Sequence, residues 1–302
     1  NEPMNEPFKS GFVSILGRPN AGKSTLLNRL LGSKLCIVSP KPQTTRHKIL
    51  GILNGPGHQI CFLDTPGLLE KISDPLQQTL VRAARQAARQ DADALILLVE
   101  PEIPDARTLE ELAPLVKSGP PIILAVNKAD RAKPAAVEAA LTAWKAALTP
   151  AVALGISALK GTDVPRLLQE ILNILPEGPA YYAAGRLSDR WERFFAAELV
   201  REQVFELFDD EIPHCVAVQI DSFSEKSGRD DQVEATLYAE REQQKAILIG
   251  KNGSAIRALQ ARAQSSLKDF LSRPVKLTLR VKVRKNWRRD PGALKEFGYT
   301  DR

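Results

Sequence analysis

A segment near the amino terminus, Gly17–Ser24, has the residue types needed to bind a phosphate chain. Its two glycines lie five positions apart and are followed directly by Lys23 and Ser24. Glycine lets the backbone wrap so that successive N–H groups point at phosphate oxygens, and a helix that begins here adds its own amides. We expect Lys23 to reach the β- and γ-phosphates and the Ser24 hydroxyl to bind Mg²⁺. This pattern alone does not choose between ATP and GTP.

A second segment, Asn127-Lys128-Ala129-Asp130, distinguishes the two purines. An ionised carboxylate accepts hydrogen bonds from two adjacent donors, and guanine presents such a pair at N1–H and its 2-amino group, whereas adenine does not. We therefore expect Asp130 to read the base. Asn127 can tie this loop to the phosphate-binding loop, and the Lys128 stem can cover the base. The sequence predicts a guanine nucleotide.

Three other segments suit the same ligand, although each could also be an ordinary turn. Asp64 and Gly67, which follow the apolar run Ile60–Leu63, suit a water-mediated Mg²⁺ contact and an N–H that senses the γ-phosphate. Ser157-Ala158-Leu159-Lys160 is placed to contact the guanine carbonyl. One hydroxyl of Thr44-Thr45 should complete the Mg²⁺ shell when the γ-phosphate is present, and we favour Thr45 over Thr44.

These segments define three sets of predicted residues. The nucleotide set is Gly17, Asn20, Ala21, Gly22, Lys23, Ser24, Thr25, Asp64, Gly67, Asn127, Lys128, Asp130, Ser157, Ala158 and Leu159. The predicted metal ligands are Ser24, Thr45 and Asp64, and the predicted catalytic residues are Lys23, Thr45, Gly67 and Asn20.

A third kind of chemistry is indicated near the carboxyl terminus. Gly250-Lys251-Asn252-Gly253 precedes a helical pattern, and its glycines allow close approach of a sugar–phosphate backbone. Residues 245–302 carry 15 Lys and Arg against 4 Asp and Glu, which favours a polyanion-binding surface. The alternative is a solvated face that pairs with the acidic block 181–244. The further predicted phosphate contacts are Lys282, Arg284, Lys285, Arg288 and Arg289; Trp287 could stack on a base or pack inside.

Composition limits the class of protein. The chain has 302 residues, of which 43% are hydrophobic and 26% charged, as expected for a globular protein of two domains. No apolar run reaches the ~18–20 residues of a membrane span. Asn1–Phe8 does not resemble a signal peptide. Three widely separated cysteines argue against a disulfide framework, so we expect a cytoplasmic protein.

Short apolar runs alternate with helical patterns up to residue 176, which predicts a mostly parallel sheet covered by helices. Ile49–Leu53 and Ile60–Leu63, joined by a short Gly/Pro turn, predict one antiparallel edge hairpin. After the Pro176–Pro179 breakers, a smaller α+β domain is expected in the order helix, strand, strand, helix, strand. We predict an amino-terminal extension at 1–9 and a first domain at 10–176. A linker at 177–188 then leads to the second domain with its basic tail at 189–302.

On these motifs, in this order and spacing, the chain resembles the Era family of bacterial ribosome-assembly GTPases. Arg18–Ser24 and Pro-Gln-Thr-Thr-Arg-His at Pro42–His47 carry the likeness in the first domain, and Ile247–Gly253 resembles the Gly-x-x-Gly loop of a KH domain. The resemblance implies a Ras-like P-loop NTPase fold followed by a type II KH domain. It implies a GTP-hydrolysing switch that binds the single-stranded 3′ end of 16S ribosomal RNA and acts in maturation of the 30S subunit. A monomer is expected.

The chain departs from Ras-type enzymes just after Gly67, where Leu68 and Leu69 stand in place of a water-orienting Gln. An alkyl side chain cannot orient water by hydrogen bonding, so we expect slow intrinsic hydrolysis. In this branch of GTPases the position of Asn20 helps to hold K⁺, which is one hypothesis for the missing charge. Arg46 as an internal arginine finger is a competitor. A nucleotide-switched protein at the inner-membrane surface, with incidental hydrolysis, is the alternative function.

Overall fold

The computed structural model describes residues 7–39, 41, 44, 46–47, 49–64, 76, 92–190, 192–225 and 230–299. The chain divides into two compact units. The first unit contains the described residues up to Cys36 and most of those from Arg46 to Asp189. The second unit contains the described residues of Ile37–Thr44, Leu76, and the described residues from Arg190 onward.

The first unit is a six-stranded sheet flanked by helices. Its strands are β1 (Lys9–Gly17), β2 (Ile49–Gly55), β3 (His58–Asp64), β4 (Ala94–Val99), β5 (Ile122–Val126) and β6 (Val152–Gly155). Its helices are α1 (Lys23–Leu31), α2 (Ala106–Ser118), α3 (Pro134–Leu148) and α4 (Val164–Ile174). The strand order is β2-β3-β1-β4-β5-β6, and only the pairing of β2 with β3 is antiparallel.

This topology places the predicted nucleotide motifs together. Strands β1, β3, β4, β5 and β6 are parallel and nearly fully buried in their central residues, so their carboxyl ends meet at one edge of the sheet. Gly17–Ser24 follows β1, Asp64 ends β3, Asn127 follows β5 and Ser157 lies just beyond β6. The predicted edge hairpin and the α/β class are both confirmed.

The segment predicted as a linker follows the free side of strand β2. Ile52 donates its backbone N–H to the Leu187 carbonyl at 2.8 Å, and the Ser188 hydroxyl donates to the Leu50 carbonyl at 2.6 Å. The Gln59 side chain exchanges two hydrogen bonds with the backbone of Tyr182, at 2.8 and 2.9 Å. These bonds satisfy backbone groups that an edge strand would otherwise leave exposed.

The second unit packs helices on a three-stranded sheet. Its elements are α5 (Glu192–Leu207), α6 (Ile212–Cys215), β7 (Ala217–Ser224), β8 (Asp231–Ala239), α7 (Glu242–Ile249), α8 (Ser254–Leu271), β9 (Val275–Val283) and α9 (Pro291–Glu296). The sheet order is β7-β8-β9, with β9 parallel to β8. The predicted element order was incomplete because it lacked the four-residue helix α6 and helix α7. Helix α7 buries only Gln244 and Leu248, so no apolar stripe reveals it.

The segment after β9, predicted as a basic tail, contains a 3₁₀ turn and helix α9. Trp287 is fully buried and donates its indole N–H to the Cys215 carbonyl at 2.8 Å. Its ring packs edge-on against Phe297 and stacks on Tyr299. Trp287 therefore packs in the core. Of the two alternatives left open by the sequence, packing inside is the one that the structure supports.

Candidate nucleotide site and RNA-binding surface

Both glycines of the phosphate-binding loop occupy positions that a side chain would obstruct. A Cβ on Gly17 would lie 2.4 Å from the Leu98 carbonyl oxygen, so strand β4 requires glycine there. Gly22 has φ 100°, and a Cβ on it would lie 2.4 Å from Asn127 Nδ2. The loop can thus lie directly against strand β4 and the Asn127 side chain and turn sharply into α1.

Lys23 lies across this loop. Its ammonium group donates to the carbonyls of Gly17 at 3.1 Å and Arg18 at 2.9 Å, and the side chain is buried. A buried cation that donates to neutral carbonyls can exchange them for a phosphate, whose charge it can neutralise. The predicted role of Lys23 is compatible with this position.

Ser24 and Asp64 meet at the predicted metal position. The Ser24 hydroxyl donates to Asp64 Oδ2 at 2.8 Å, although the two residues are 40 positions apart. A hydroxyl and a carboxylate are the hard oxygen ligands that Mg²⁺ prefers, and Mg²⁺ normally takes its remaining ligands from waters and phosphate oxygens. Among the described residues no cluster of three His, Cys, Asp or Glu side chains is available to hold a metal ion. The Ser24–Asp64 pair therefore fits a nucleotide-associated Mg²⁺.

Asn127 joins the phosphate-binding loop to the loop after β6. Its amide nitrogen donates to the Ala21 carbonyl at 2.7 Å, and its amide oxygen accepts the Ala158 N–H at 2.9 Å. The side chain is nearly fully buried. Because one amide serves both loops, a shift of either loop must disturb the other.

The carboxylate of Asp130, which is predicted to read the base, is held in place by the same second loop. Ser157 donates its hydroxyl to Asp130 Oδ1 at 2.6 Å, and this hydrogen bond, helped by the nearby Arg131 and Lys160 charges, lowers the Asp130 pKa. Asp130, like an ordinary Asp, is ionised at neutral pH, and the lowered pKa extends this state to more acidic pH; double acceptance from guanine requires the ionised form. Lys128, with φ 63°, pairs with Glu100 Oε1 at 2.5 Å, so its stem is fixed beside the loop.

The structure adds positioning residues that the sequence does not reveal. Arg29, in the last turn of α1, donates to the carbonyls of Ala158, at 3.2 Å, and Leu159. It thereby holds the loop that should meet the guanine carbonyl. Arg18 bonds Asp105 and the Thr108 hydroxyl, which ties the phosphate-binding loop to helix α2. The pKa of Asp105 falls to about 2, chiefly because its carboxylate accepts the Thr108 N–H and hydroxyl.

The other predicted nucleotide residues are distributed as follows. Asn20 is exposed with φ 63°, Thr25 is half-buried in the first turn of α1, and Leu159 is half-exposed. Thr45, Gly67 and the adjoining Leu68 and Leu69 lie outside the described residues. Thr44 is buried in the second unit.

The predicted RNA loop has the backbone that its glycines permit. Gly250 has φ 72° and Gly253 has φ 73°, and a Cβ on Gly250 would lie 2.7 Å from that of Ala255. Between them Lys251 and Asn252 are exposed, and Asn252 is left-handed with φ 51°. Gly253 is the N-cap of helix α8, so its first-turn amides lie beside the loop. This arrangement presents a cation, an amide and helix N–H groups to an anion.

The five cations predicted to assist this loop divide into two groups. Arg284 is bonded to Glu296 and lies 3.5 Å from Asp290, and Arg288 lies 2.8 Å from Glu240. Lys282, Lys285 and Arg289 are exposed and have no ion pair within the part of the chain that the structure describes. Strand β9 alternates buried and exposed residues as predicted, with an apolar and a basic face.

The first unit is thus, by fold and site, a P-loop domain with a guanine-specific loop, and it is followed by a KH-type α+β unit. The sequence profile of a family described as "50S ribosome-binding GTPase" matches residues 12–128, and that of the KH domain matches residues 211–288.

Full-length relatives give the particular family. GTPase Era of Geobacter metallireducens is 43% identical over 296 residues, which cover 97% of this chain and 99% of the relative. GTPase Era of Lactobacillus delbrueckii subsp. bulgaricus is 41% identical and covers 96% of each chain. The protein belongs to the Era family of GTPases, as its motifs predict, and it is a GTPase.

Solved structures agree with this assignment. A variant of Aquifex aeolicus Era bound to GDP·AlF₄⁻ superposes with a TM-score of 0.93 at 36% identity, covering 97% of this chain and 100% of that one. Era in complex with MgGDPNP and nucleotides 1506–1542 of 16S ribosomal RNA gives 0.90 at the same identity and coverage. The predicted fold class is confirmed. Among the described helices, none has both the length and the apolar character to cross a membrane.

Proposed function

We propose that this GTPase is a switch whose KH unit binds the single-stranded 3′ end of 16S ribosomal RNA, and that it acts in maturation of the 30S subunit. The observation that carries the proposal is the exposed Lys251–Asn252 pair between two glycines of positive φ at the start of α8, in the same chain as a P-loop domain that contains the predicted guanine-reading loop. The complex of the related Era with MgGDPNP and 16S nucleotides supports the choice of RNA.

The nucleotide chemistry of the proposal rests on the first unit. Lys23 would neutralise the β- and γ-phosphates, with Gly17, Asn20–Ser24 and Thr25 around them. Asp130, Asn127, Lys128 and Ser157–Leu159 would hold the base. Ser24, Asp64 and Thr45 would hold Mg²⁺, which supplies charge stabilisation on the phosphates when bound. The Gly67 N–H would contact the γ-phosphate.

Hydrolysis should be slow without a further group, because Leu68 cannot orient water. We propose that Asn20, exposed in the phosphate-binding loop, helps to hold K⁺. Single-turnover hydrolysis in KCl and in NaCl tests this: equal rates contradict it. An Asn20→Asp variant should lose the K⁺ effect.

RNA binding is tested with a synthetic RNA of 16S nucleotides 1506–1542 and the full chain loaded with a non-hydrolysable GTP analogue. Replacing both Lys251 and Asn252 by Asp reverses the loop's charge, and we expect affinity to fall at least about tenfold. The matched control is Lys268→Asp, on the exposed face of α8, which should change affinity less than about twofold. Equal binding by the loop variant contradicts the proposal.

Two other assays test the remaining parts of the proposal, membrane association and oligomeric state. Cations on an exposed surface also attract anionic lipid headgroups, so peripheral association with the inner membrane is measured by co-sedimentation with phosphatidylglycerol vesicles. Vesicle binding without RNA binding would favour the membrane-surface alternative. A monomer, which we also propose, is tested by light scattering.

A further inference from the structure

We propose that Arg18, Asp105 and Thr108 are positioning residues: they form a polar bridge that holds the phosphate-binding loop in place and sets how tightly the loop binds the β-phosphate of a guanine nucleotide. None of the three side chains is in the nucleotide set predicted from the sequence. All three residues belong to the first unit. The inference rests on the phosphate role proposed for Gly17–Ser24 and adds the residues that support that role.

The bridge starts at Asp105, which directly precedes helix α2. As an N-cap residue does, its carboxylate accepts the Thr108 N–H at 2.8 Å, and the Thr108 hydroxyl lies 2.9 and 3.0 Å from its two oxygens. The Arg18 guanidinium donates to the Thr108 hydroxyl at 2.5 Å and to the Asp105 carboxylate. Thr108 is buried, whereas the Arg18 and Asp105 side chains are 50% and 52% exposed, so their ion pair is weak without the hydroxyl between them.

The backbone of Arg18 carries this restraint to the groups that should meet the phosphates. Its carbonyl accepts the Lys23 ammonium at 2.9 Å and the Ala21 N–H at 3.2 Å. The Ala21 carbonyl in turn accepts the Asn127 amide at 2.7 Å. A shift of Arg18 therefore displaces both the lysine and the turn of the loop whose N–H groups should surround the phosphates.

The bridge matters because part of the loop borders a cavity. Four residues of the loop line this cavity of about 240 Å³: Gly17, Arg18, Pro19 and Ala21. Leu98 of β4, Leu112 of α2 and Trp144 of α3, all buried, also line it. A segment beside a cavity has fewer close-packed neighbours than one in a filled interior, so its position depends more on directional bonds. The Arg18 side chain supplies such bonds at this point.

Loss of the bridge should weaken phosphate binding and leave base binding unchanged. Amide donors that are not held in position must be ordered when the ligand binds, and this ordering lowers affinity. GDP and GTP both carry a β-phosphate, so the affinities of both should fall. GMP lacks a β-phosphate and depends more on the predicted base-reading residues, where Asp130 is bonded to Ser157 rather than to the bridge. The affinity for GMP is therefore an internal reference.

The test measures GDP and GMP affinities of the full chain by displacement of a fluorescent guanine nucleotide in Mg²⁺ buffer. Thr108→Val keeps the shape of the side chain but removes the hydroxyl, so GDP affinity should fall about 5- to 10-fold while GMP affinity stays within about twofold. Thr108→Ser keeps the hydroxyl and should retain both affinities. Arg18→Ala should match Thr108→Val, and the two changes together should lower GDP affinity by about as much as either alone, because both break the same bridge.

The matched control is Arg107→Ala, which removes an exposed arginine of the same helix that bonds Glu111 at 3.0 Å; it should leave both affinities unchanged. GDP affinity within about twofold of the original in both Thr108→Val and Arg18→Ala overturns the proposal. Equal losses of GDP and GMP affinity also overturn it, because they indicate a general loss of structure. If the original chain binds GDP no more tightly than GMP, the phosphate role of Gly17–Ser24 fails instead, so the two failures are distinguishable.

Discussion

Replacing Asp130 with Asn tests the guanine-reading site most sharply. The carboxylate is ionised at neutral pH and is fixed by the Ser157 hydroxyl at 2.6 Å, a bond that also lowers its pKa. Guanine N1–H and its 2-amino group would donate to this carboxylate. The Asn amide keeps one acceptor oxygen but turns an NH₂ donor toward a donor of the base.

The expected loss follows from the number of bonds affected. A hydrogen bond to a charged acceptor changes affinity by about 10- to 100-fold, and two are disturbed, so GTP affinity should fall by about 10²- to 10⁴-fold. Xanthine carries a carbonyl in place of the 2-amino group and can accept from the new amide. Xanthosine triphosphate should therefore bind the Asp130→Asn variant more tightly than GTP.

The assay is competition of GTP, ATP and xanthosine triphosphate against a fluorescent guanine nucleotide. Glu138→Gln, on the exposed face of α3, is a matched charge-removing control and should behave as the original chain. GTP binding by Asp130→Asn at the original affinity would refute the assignment of Asp130 to the base.

Four further predictions concern the loop after β6, the core and the thiols. Arg29→Ala removes two bonds to the loop after β6, so GDP dissociation by stopped-flow should accelerate about 5- to 10-fold. Trp287→Ala should lower the free energy of unfolding in urea by about 3–5 kcal/mol because the indole is fully buried, and Trp287→Phe by less. All three cysteines are buried, so a thiol reagent at pH 8 should label them only after unfolding. Burial raises the Cys61 pKa to about 12, so this thiol lowers the free energy of unfolding as pH rises from 9 to about 12.

The parts of the fold that the sequence predicts are those with local signals. Ala94–Val99 and Pro134–Leu148 have the predicted bounds because an apolar run and a Pro-initiated helix mark their own ends. Helix α7 was missed because its Ala246-Ile247-Leu248-Ile249 run has no helical periodicity of burial: Leu248 is buried while Ile247 is half-exposed.

The residues of the candidate site likewise fall into those with a local sequence signal and those without one. The residues proposed to touch the ligand lie in short motifs, so Lys23, Asn127 and Asp130 could be proposed from type and spacing alone. Residues that act through another residue could not, because Arg29 meets its partners 129 and 130 positions along the chain. Such long-range pairs leave no local pattern in a single sequence.

The central claim is that one chain joins a guanine-nucleotide switch to an RNA-binding unit. Its most direct test is the dissociation constant of the RNA of 16S nucleotides 1506–1542, measured on the same protein preparation with a non-hydrolysable GTP analogue and with GDP. We predict a difference of at least about fivefold, with tighter binding in the GTP-like state. Equal constants in the two nucleotide states would contradict the claim.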